Sequence, residues 1–387
     1  MQLSTIRKNN KEAILDLLFR TPNLSKKKIA KDLNLSPSVI SKLCNELIQE
    51  EKIRESSQIE SKRAGRKEIG LVLNESYGYV IGLTINHFQT TIILTDLNRN
   101  PIEKLVIPTS DNSQTYFELL IKTLRELISH LQMSQRILGI GISIKGRTDG
   151  IYSYSGIWSH PQDVKHTLEN QLNLPVIMDN GVRATALQAQ FEKDLSNFAF
   201  IKYVDAGIGG ALIENGIIKL GESHSIAEFG HMIVDPTREY CPICKRRGCL
   251  ESIASIEELY REIRKELTPE RFPILWNHIK ENPDNLSMTE INLSVAEGSI
   301  ELNRIFQKYA HYFALNLINF NTIVDRKHIL LAGEIFHSKQ FQIYLQGELA
   351  SLQLVPLWEQ IEFYHSYDEN LSAVFLAINQ LFLTLPV

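Results

Sequence analysis

Apolar residues recur at helical spacing through the first fifty residues of the chain. Ile14 and Leu18 lie one turn apart in a segment that predicts a helix, and the turn sequence Thr-Pro-Asn at 21–23 ends it. A second, short helix follows the capping residue Ser25, and a third begins where Ser36 stands before a proline, the usual order at a helix start. Two helices joined by a tight turn indicate the arrangement that places the second helix in the major groove of DNA.

The third helix is predicted to have one buried and one exposed face. Its predicted buried stripe consists of Val39, Ile40, Leu43 and Leu47. Short polar groups and one cation, which can bond to bases and phosphates, lie at its start and on its outward face and are the predicted DNA contacts: Ser36, Ser38, Ser41, Lys42 and Asn45. Cys44 is interpreted as a small core residue rather than a redox sensor.

The polar loop SSQIESKRAGRK lies between predicted strands at 52–54 and 69–73 and is interpreted as a wing. Its Arg63, Arg66 and Lys67 are predicted to reach phosphates or a minor groove. The alternative is a solvated basic linker beside a protein-binding helical domain. Residues 1–70 hold 15 Lys and Arg against 9 Asp and Glu, which leaves 26 against 36 for the rest of the chain. The first segment thus has a net positive charge and the rest a net negative one. This difference predicts a nucleic-acid-binding module, residues 1–74, joined to a body that does not bind nucleic acid.

The remaining chain alternates predicted strands and helices in two similar halves. The first half opens on a hairpin at 77–97 and continues to a buried strand at 137–144. A second hairpin with a glycine turn begins at Phe198 and opens the second half in the same way. Two such halves predict a duplicated α/β architecture with a ligand-binding cleft between lobes. The predicted lobes span 75–190 and 191–370.

Bulk composition narrows the class of protein. A chain of 387 residues, 43% hydrophobic and 22% charged, is typical of a globular protein with two or three domains. It has no run of about 18 apolar residues and no apolar leader segment at its start. Four cysteines do not make a disulfide framework. These features predict a cytoplasmic protein without membrane association.

Three of the four cysteines fall in one short segment, the knuckle 231–249. With one histidine they form the pattern H-x9-C-x2-C-x4-C, whose members are His231, Cys241, Cys244 and Cys249. Four filled ligand positions predict a structural Zn²⁺, because none is left for a catalytic water. The alternative is three unrelated thiols and a histidine, which a basic, solvated knuckle disfavours since free cysteine is usually buried.

These motifs resemble the ROK family of repressors and sugar kinases. GHMIVDPTREYCPICKRRGCLES is similar to that family's zinc signature, and the helix-turn-helix, GIGISIKG, PVIMDNG, GIGG and AEFGH follow in its order. The resemblance covers essentially the whole chain. It implies a winged helix-turn-helix followed by a two-lobed, actin-like (ribonuclease-H-like) α/β body, with the terminal helix 371–387 returning to the first lobe. Lys245 stands where the family has Gly, and one extra residue separates Cys241 from Cys244, so the loop must bulge.

The resemblance implies either a sugar kinase or a sugar-responsive repressor, and the residues of phosphoryl transfer are altered here. Where kinase members have a glycine turn in the first hairpin, this chain has TINHFQ at 84–89. The position of the catalytic base is Gly181, which cannot accept a proton. Asp205 places a carboxylate in the second phosphate loop. These three changes beside a DNA module favour a repressor that is not an enzyme.

The sugar-binding residues that the resemblance implies are better preserved. By motif position they are Asn180, Glu228, His231 and Glu251. His231 is expected to use one ring nitrogen for zinc and the other for the ligand. The alternative for the two glutamates is an ordinary surface or helix-cap role. Arg183 and Lys145 depart from the family pattern. Either could meet an anionic group of the effector, and the alternative for Arg183 is an ion pair with Asp179.

The sequence therefore predicts a homo-oligomeric repressor of carbohydrate genes. It is expected to bind a double-stranded DNA operator, with a sugar or sugar-phosphate effector in the interlobe cleft next to the structural zinc. Three alternatives stay open: a sugar kinase, a regulator whose cysteines sense metal or oxidant, and a repressor controlled by a protein partner.

Overall fold

The computed structural model of the chain describes residues 3–59, 68–130, 136–204, 207–352, 355–365 and 367–385. The chain divides into two compact units. Unit 1 contains residues 1–194 and 368–387, and unit 2 contains residues 195–367. Within the described residues, no helix combines the length and the apolar character that crossing a membrane requires.

The N-terminal module of unit 1 has helices and strands in the order expected of a winged helix-turn-helix. Its elements are α1 Leu3–Arg20, β1 Leu24–Ser25, α2 Lys26–Asp32, α3 Pro37–Gln49, β2 Ile53–Ile59 and β3 Glu68–Leu73. The strands form an antiparallel sheet in the order β1-β3-β2. The Ser25 hydroxyl accepts a hydrogen bond from the Lys28 amide at 3.2 Å, and that of Ser36 accepts one from the Val39 amide at 3.4 Å. Both predicted N-caps are therefore present.

The core of this module is built from α1 and α3. Ile14 and Leu18 of α1 are buried, as are Leu43 and Leu47 of α3. Cys44 is buried beside them, and burial raises the pKa of its thiol to about 11. The prediction for Val39 was wrong, because its side chain is 39% exposed. At 100° per residue, Cys44 and not Val39 completes the stripe that faces α1.

The rest of unit 1 is a five-stranded sheet covered by helices. Its elements up to residue 194 are β4 Tyr79–Ile85, β5 Gln89–Asp96, β6 Pro101–Pro108, α4 Ser113–His130, β7 Ile137–Ile144, β8 Tyr152–Ser153, β9 Gln162–Asp163, α5 Val164–Leu172, β10 Val176–Asn180 and α6 Gly181–Lys193. The sheet order is β10-β7-β4-β5-β6, with β10, β7 and β4 parallel. Parallel strands end at one edge of the sheet, where Asn180 is in register with Ile144, and Ile144 with Ile85.

Unit 2 contains a second five-stranded sheet and most of the remaining helices. Its elements are β11 Phe198–Val204, β12 Gly207–Glu214, β13 Ile217–Ile218, α7 Leu250–Ala254, α8 Ile256–Glu266, α9 Pro273–His278, α10 Met288–Ala296, α11 Ile300–Val324, β14 Ile329–Ala332, α12 Lys339–Ser351, α13 Val355–Trp358 and β15 Ile361–Phe363. The strand order is β13-β12-β11-β14-β15. Its core is aromatic, with Tyr203 stacked on Phe313 at 5.8 Å between ring centroids.

The last helix, α14 Glu369–Ile378, belongs to unit 1 and is followed by a π-helical turn, Asn379–Leu383. It packs against β4, β7 and α6. Every residue from Ser372 to Ile378 is buried, so this helix forms part of the core beneath the first sheet.

Candidate functional site

Four side chains of unit 2 converge on one point that suits a metal ion. The Nδ1 atom of His231 lies 3.9 Å from the sulfur atoms of Cys241 and Cys249, and the sulfur atoms of Cys244 and Cys249 are also 3.9 Å apart. All four ligand atoms lie within 4.8 Å of one another. A tetrahedral Zn²⁺ with bonds of about 2.3 Å to sulfur and 2.0 Å to nitrogen places its ligand atoms about 3.5–3.8 Å apart. The donor set and its spacing therefore fit such an ion after a small contraction.

The loop between the ligands is held by its own backbone. The Cys241 amide donates to the Arg246 carbonyl at 2.8 Å, and the Lys245 amide donates to the Cys241 carbonyl at 3.0 Å. Lys245 has φ 59°, the left-handed conformation that glycine adopts with least strain. The bulge expected at this position is therefore present, and a lysine carries it. Gly248, at φ 71°, has no room for a side chain, because a Cβ would lie 1.7 Å from the Asp235 carbonyl oxygen.

Burial and nearby cations set the protonation of the ligand residues. Burial, helped by the positive charge of Arg246, lowers the pKa of His231, which favours the neutral imidazole that metals bind. Burial raises the pKa of Cys249 to about 11. Burial acts in the same way on Cys244, but hydrogen bonds with Arg246, Cys241 and Cys249 outweigh it and lower the pKa of that thiol. Thiolate ligation at Cys249 thus depends on a cation in the site.

The knuckle and the turn just before it are each held to helix α11 by a hydrogen bond. Asp235 accepts hydrogen bonds from Thr237, Arg238 and the Tyr312 hydroxyl, the last at 3.1 Å. The hydrogen bond from the Thr237 hydroxyl is the main cause that lowers the pKa of Asp235 to about 2. The buried amide of Asn316 donates to the Phe229 carbonyl at 2.8 Å, next to His231. The sequence pattern did not reveal these anchors, since their partners lie far apart along the chain.

The two predicted effector-binding glutamates occupy different environments. Glu251 lies in the first turn of α7, and its Oε2 accepts the Ile208 amide at 2.7 Å. A Cβ on Gly207 would lie 2.6 Å from Oε1 of the same carboxylate, so the start of β12 wraps closely around it. Glu228 is exposed, and its carbonyl accepts the His231 amide at 3.0 Å. Glu228, His231 and Glu251 therefore all belong to unit 2, each within three residues of a metal ligand along the chain or a ligand itself.

The fourth predicted effector residue, Asn180, belongs to unit 1 and caps helix α6. Its Oδ1 accepts the Arg183 amide at 2.7 Å. The Arg183 side chain is 4% exposed; its Nε donates to Asp179 at 2.5 Å and its Nη2 to the Thr148 carbonyl at 3.2 Å. The alternative in which Arg183 pairs with Asp179 is therefore the one that the structure contains.

Two of the altered kinase positions, the β4–β5 turn and Gly181, lie at the edge of the first sheet where Asn180 lies. Asn86 folds the β4–β5 turn by accepting the Phe88 amide at 3.0 Å, and the Phe88 side chain is 87% exposed. Gly181 is the first residue of α6, where an added Cβ would meet only ordinary contacts. Asp205, predicted to repel polyphosphate, lies outside the described residues. The first hairpin turn thus presents a phenyl ring where kinases have a phosphate-binding glycine turn.

The predicted DNA-contacting residues of α3 share the solvent side of that helix. Ser36, Ser38, Lys42 and Asn45 are exposed, and Ser41 is half-buried. Lys26 of α2, not among the predicted contacts, donates to Asn45 at 2.7 Å and extends the basic face. The three consecutive lysines at 26–28 were the available signal. Three further predicted contacts, Arg63, Arg66 and Lys67, lie outside the described residues.

Comparison with known proteins agrees with this architecture. Residues 7–54 match a winged helix-turn-helix DNA-binding domain, and residues 80–373 match the ROK family. A DNA-binding module followed by a body with the sugar-kinase fold is the domain arrangement of a DNA-binding regulator. The chain belongs to the ROK family. The predicted family and the predicted DNA-binding module are both confirmed.

Relatives and solved structures cover most of the chain. It is 26% identical to the xylose repressor of Bacillus subtilis over 342 residues, 86% of this chain and 84% of that protein. It is 23% identical to the DNA-binding transcriptional dual regulator NagC of Escherichia coli, over 85% and 81%.

Among solved structures, a ROK family transcriptional regulator, a homologue of the Escherichia coli MLC protein, matches with a TM-score of 0.75 at 20% identity, over 98% of this chain and 97% of that one. The ROK family glucokinase from Streptomyces griseus matches with a TM-score of 0.63 at 18% identity, over 79% of this chain and 99% of the kinase. The predicted fold class, a winged helix-turn-helix followed by an actin-like two-lobed body, is confirmed.

Proposed function

We propose that this protein is a DNA-binding transcriptional repressor of carbohydrate genes whose operator affinity responds to a sugar or sugar phosphate. One observation carries the proposal: an N-terminal module with an exposed polar recognition face precedes a ROK body whose phosphoryl-transfer positions are replaced. The relatives named as a xylose repressor and a DNA-binding transcriptional regulator support the same class. Carbohydrate is the natural effector class, because the fold is shared with sugar kinases.

Asn180, Glu228, His231 and Glu251 are the proposed effector-binding residues. Carboxylates and amides accept and donate the paired hydrogen bonds that sugar hydroxyls require. The Nδ1 atom of His231 lies 3.9 Å from the sulfur atoms of Cys241 and Cys249, which leaves Nε2 for a ligand hydroxyl. Glu251 uses one oxygen for the Ile208 amide, and this bond fixes the direction of the other.

The proposed metal is a structural Zn²⁺ held by His231, Cys241, Cys244 and Cys249. When bound, the ion supplies cross-linking and fixes the His231 ring, and a filled four-ligand site offers no position for a reacting water. Hydrogen bonds to α11 hold the surrounding segments in place. Asp235 joins the knuckle to Tyr312, and Asn316 binds the Phe229 carbonyl. The protein is proposed to act in the cytoplasm as a homo-oligomer on a double-stranded operator.

Thermal unfolding tests the effector proposal. The probes are D-xylose, N-acetylglucosamine and their phosphates, chosen because the relatives include the xylose repressor above and a protein named N-acetylglucosamine repressor in Escherichia coli O157:H7. A ligand at one hundred times its Kd stabilises the folded state by about 2.7 kcal/mol, which raises the unfolding midpoint by several degrees. We expect one probe to raise it, and Glu228→Ala to abolish the rise. Glu222→Ala, an exposed glutamate of the same loop, is the matched control. No shift with any probe would refute a simple sugar effector.

Fluorescence anisotropy tests the DNA proposal. The probe is a labelled duplex selected by the protein from a random pool. Lys42→Ala is expected to weaken binding about tenfold and reduce its salt dependence, because a phosphate contact is lost. Lys122→Ala, an exposed lysine of α4, is the control. If no duplex is enriched from the pool, the repressor function is refuted. ATP turnover with any of the sugars would instead favour the kinase.

A further inference from the structure

Helix α6 connects the proposed effector residue Asn180 to a distant part of unit 1. It has 13 residues, which span about 20 Å at 1.5 Å per residue. Every residue from Arg183 to Phe191 is buried, and the helix packs against α14 and β10. A buried helix of this length moves as a rigid body, because close-packed surroundings leave its residues little room to shift separately. A change at its first turn therefore reaches its last turn.

The C-terminal end of α6 is joined to α1 of the DNA-binding module. The Nη1 atom of Arg20 donates to the Gln190 carbonyl at 3.0 Å and to Asp194 at 3.1 Å. The Arg20 side chain is 13% exposed, so its bond to the Gln190 carbonyl is partly shielded from water, whereas the Asp194 side chain is 86% exposed. The rings of Phe19 and Phe191 meet edge to face with centroids 5.0 Å apart, and Phe375 of α14 contacts both. The joint thus combines charge-assisted hydrogen bonds with aromatic packing.

Helix α1 is in turn joined to the recognition helix α3. Lys11 contacts Glu46 at 3.1 Å and Glu50 at 2.5 Å, and Arg7 also pairs with Glu46. Lys11 is 9% exposed, an unusual degree of burial for a lysine. Glu46 is the residue after Asn45, which lies on the proposed DNA-contacting face of α3. A shift of α1 therefore changes how α3 is presented.

We propose that α6 and α1 form a two-helix relay through which the effector site at Asn180 controls the position of the recognition helix. The relay rests on the proposed function and assigns Arg20 as a positioning residue. Asn180 is its input, because a ligand hydroxyl bound to this side chain alters the hydrogen bond that caps α6 at the Arg183 amide. Arg20, Phe19 and Phe191 make the middle joint. Lys11 with Glu46 makes the output.

Hydrogen exchange of the full chain tests the relay without any ligand or DNA. Asn180→Ala removes the N-cap of α6, and Asp163→Ala is a matched control that removes the N-cap of α5, where Asp163 accepts the His166 amide at 3.1 Å. We expect Asn180→Ala to raise exchange roughly two- to fivefold in α1 residues 15–20 and in α3, and Asp163→Ala to leave both unchanged. Equal exchange of these segments in both variants and the unaltered chain would overturn the relay.

A functional measurement separates the relay from the effector site. Arg20→Gln is expected to keep the thermal shift given by the active sugar of the panel above, while the ratio of DNA affinity with and without that sugar falls from about tenfold towards one. Lys122→Gln, on the exposed face of α4, is expected to keep the full ratio. A full ratio in Arg20→Gln would overturn the relay. If the proposed function is wrong, no sugar changes the thermal unfolding or the DNA affinity of the unaltered chain. The hydrogen-exchange comparison, which needs neither sugar nor DNA, then still decides whether the relay exists.

Discussion

The buried ion pair between Asp179 and Arg183 allows the most quantitative prediction. The two side chains are 14% and 4% exposed, and the shortest bond between them is 2.5 Å. Asp179→Asn preserves shape but removes the negative charge that compensates the guanidinium. Loss of one member of a buried pair costs about 3–5 kcal/mol. Since the Thr148 carbonyl still accepts a bond from Arg183, we expect the lower end, about 3 kcal/mol.

A double-mutant cycle makes the reasoning falsifiable. Arg183→Met combined with Asp179→Asn removes both charges, and the double variant is expected to lie within about 1 kcal/mol of the unaltered chain. The coupling energy between the two positions is then at least about 2 kcal/mol. Urea unfolding followed by circular dichroism measures all four proteins. The exposed pair Lys122 and Glu126, 74% and 60% exposed, is the control, with an expected coupling below about 0.5 kcal/mol. Additive effects at Asp179 and Arg183 would refute an energetically coupled pair.

Three further predictions concern the metal site and the altered kinase positions. Chelation of the bound metal is expected to make Cys244, whose thiol has a lowered pKa, reactive towards a thiol reagent at pH 8 and to leave Cys44 protected, because burial raises the pKa of the Cys44 thiol to about 11. Rapid alkylation of Cys44 in the folded chain would contradict this. Lys245→Gly is expected to stabilise the chain by about 0.5–1 kcal/mol in thermal unfolding, since φ is 59° there; lower stability would mean that the side chain holds the bulge. Gly181→Asp restores a base position where a Cβ has room, yet we expect no sugar-dependent ATP turnover in a coupled assay, because the β4–β5 turn still lacks its glycines.

The elements with a strong local signal were predictable from the sequence. Ser25 and Ser36 are N-caps as expected, and the buried strand expected at 137–144 is present as β7. The four candidate metal ligands converge because their spacing is short and their chemistry is shared. In each case the information lies within a few neighbouring residues.

Features that depend on distant partners were not predictable. Strand β6 was missed because it is an edge strand, exposed along most of its length and bounded by Pro101 and Pro108, so that no alternation marks it. The contact of Arg20 with Asp194 joins residues 174 positions apart. The choice of Arg183 between an effector and Asp179 could be made only from the geometry.

The return of α14 to the first sheet has a consequence for biosynthesis. Residues 1–194 leave the ribosome long before residue 368, and at about 5–20 residues per second the delay is about 10–35 s. During that time the faces of β4, β7 and α6 that α14 covers stay open on the nascent chain. A premature stop codon or a bulky carboxyl-terminal fusion would therefore damage the amino-terminal half of the protein, and a chaperone that shields apolar surface would act on this intermediate during translation.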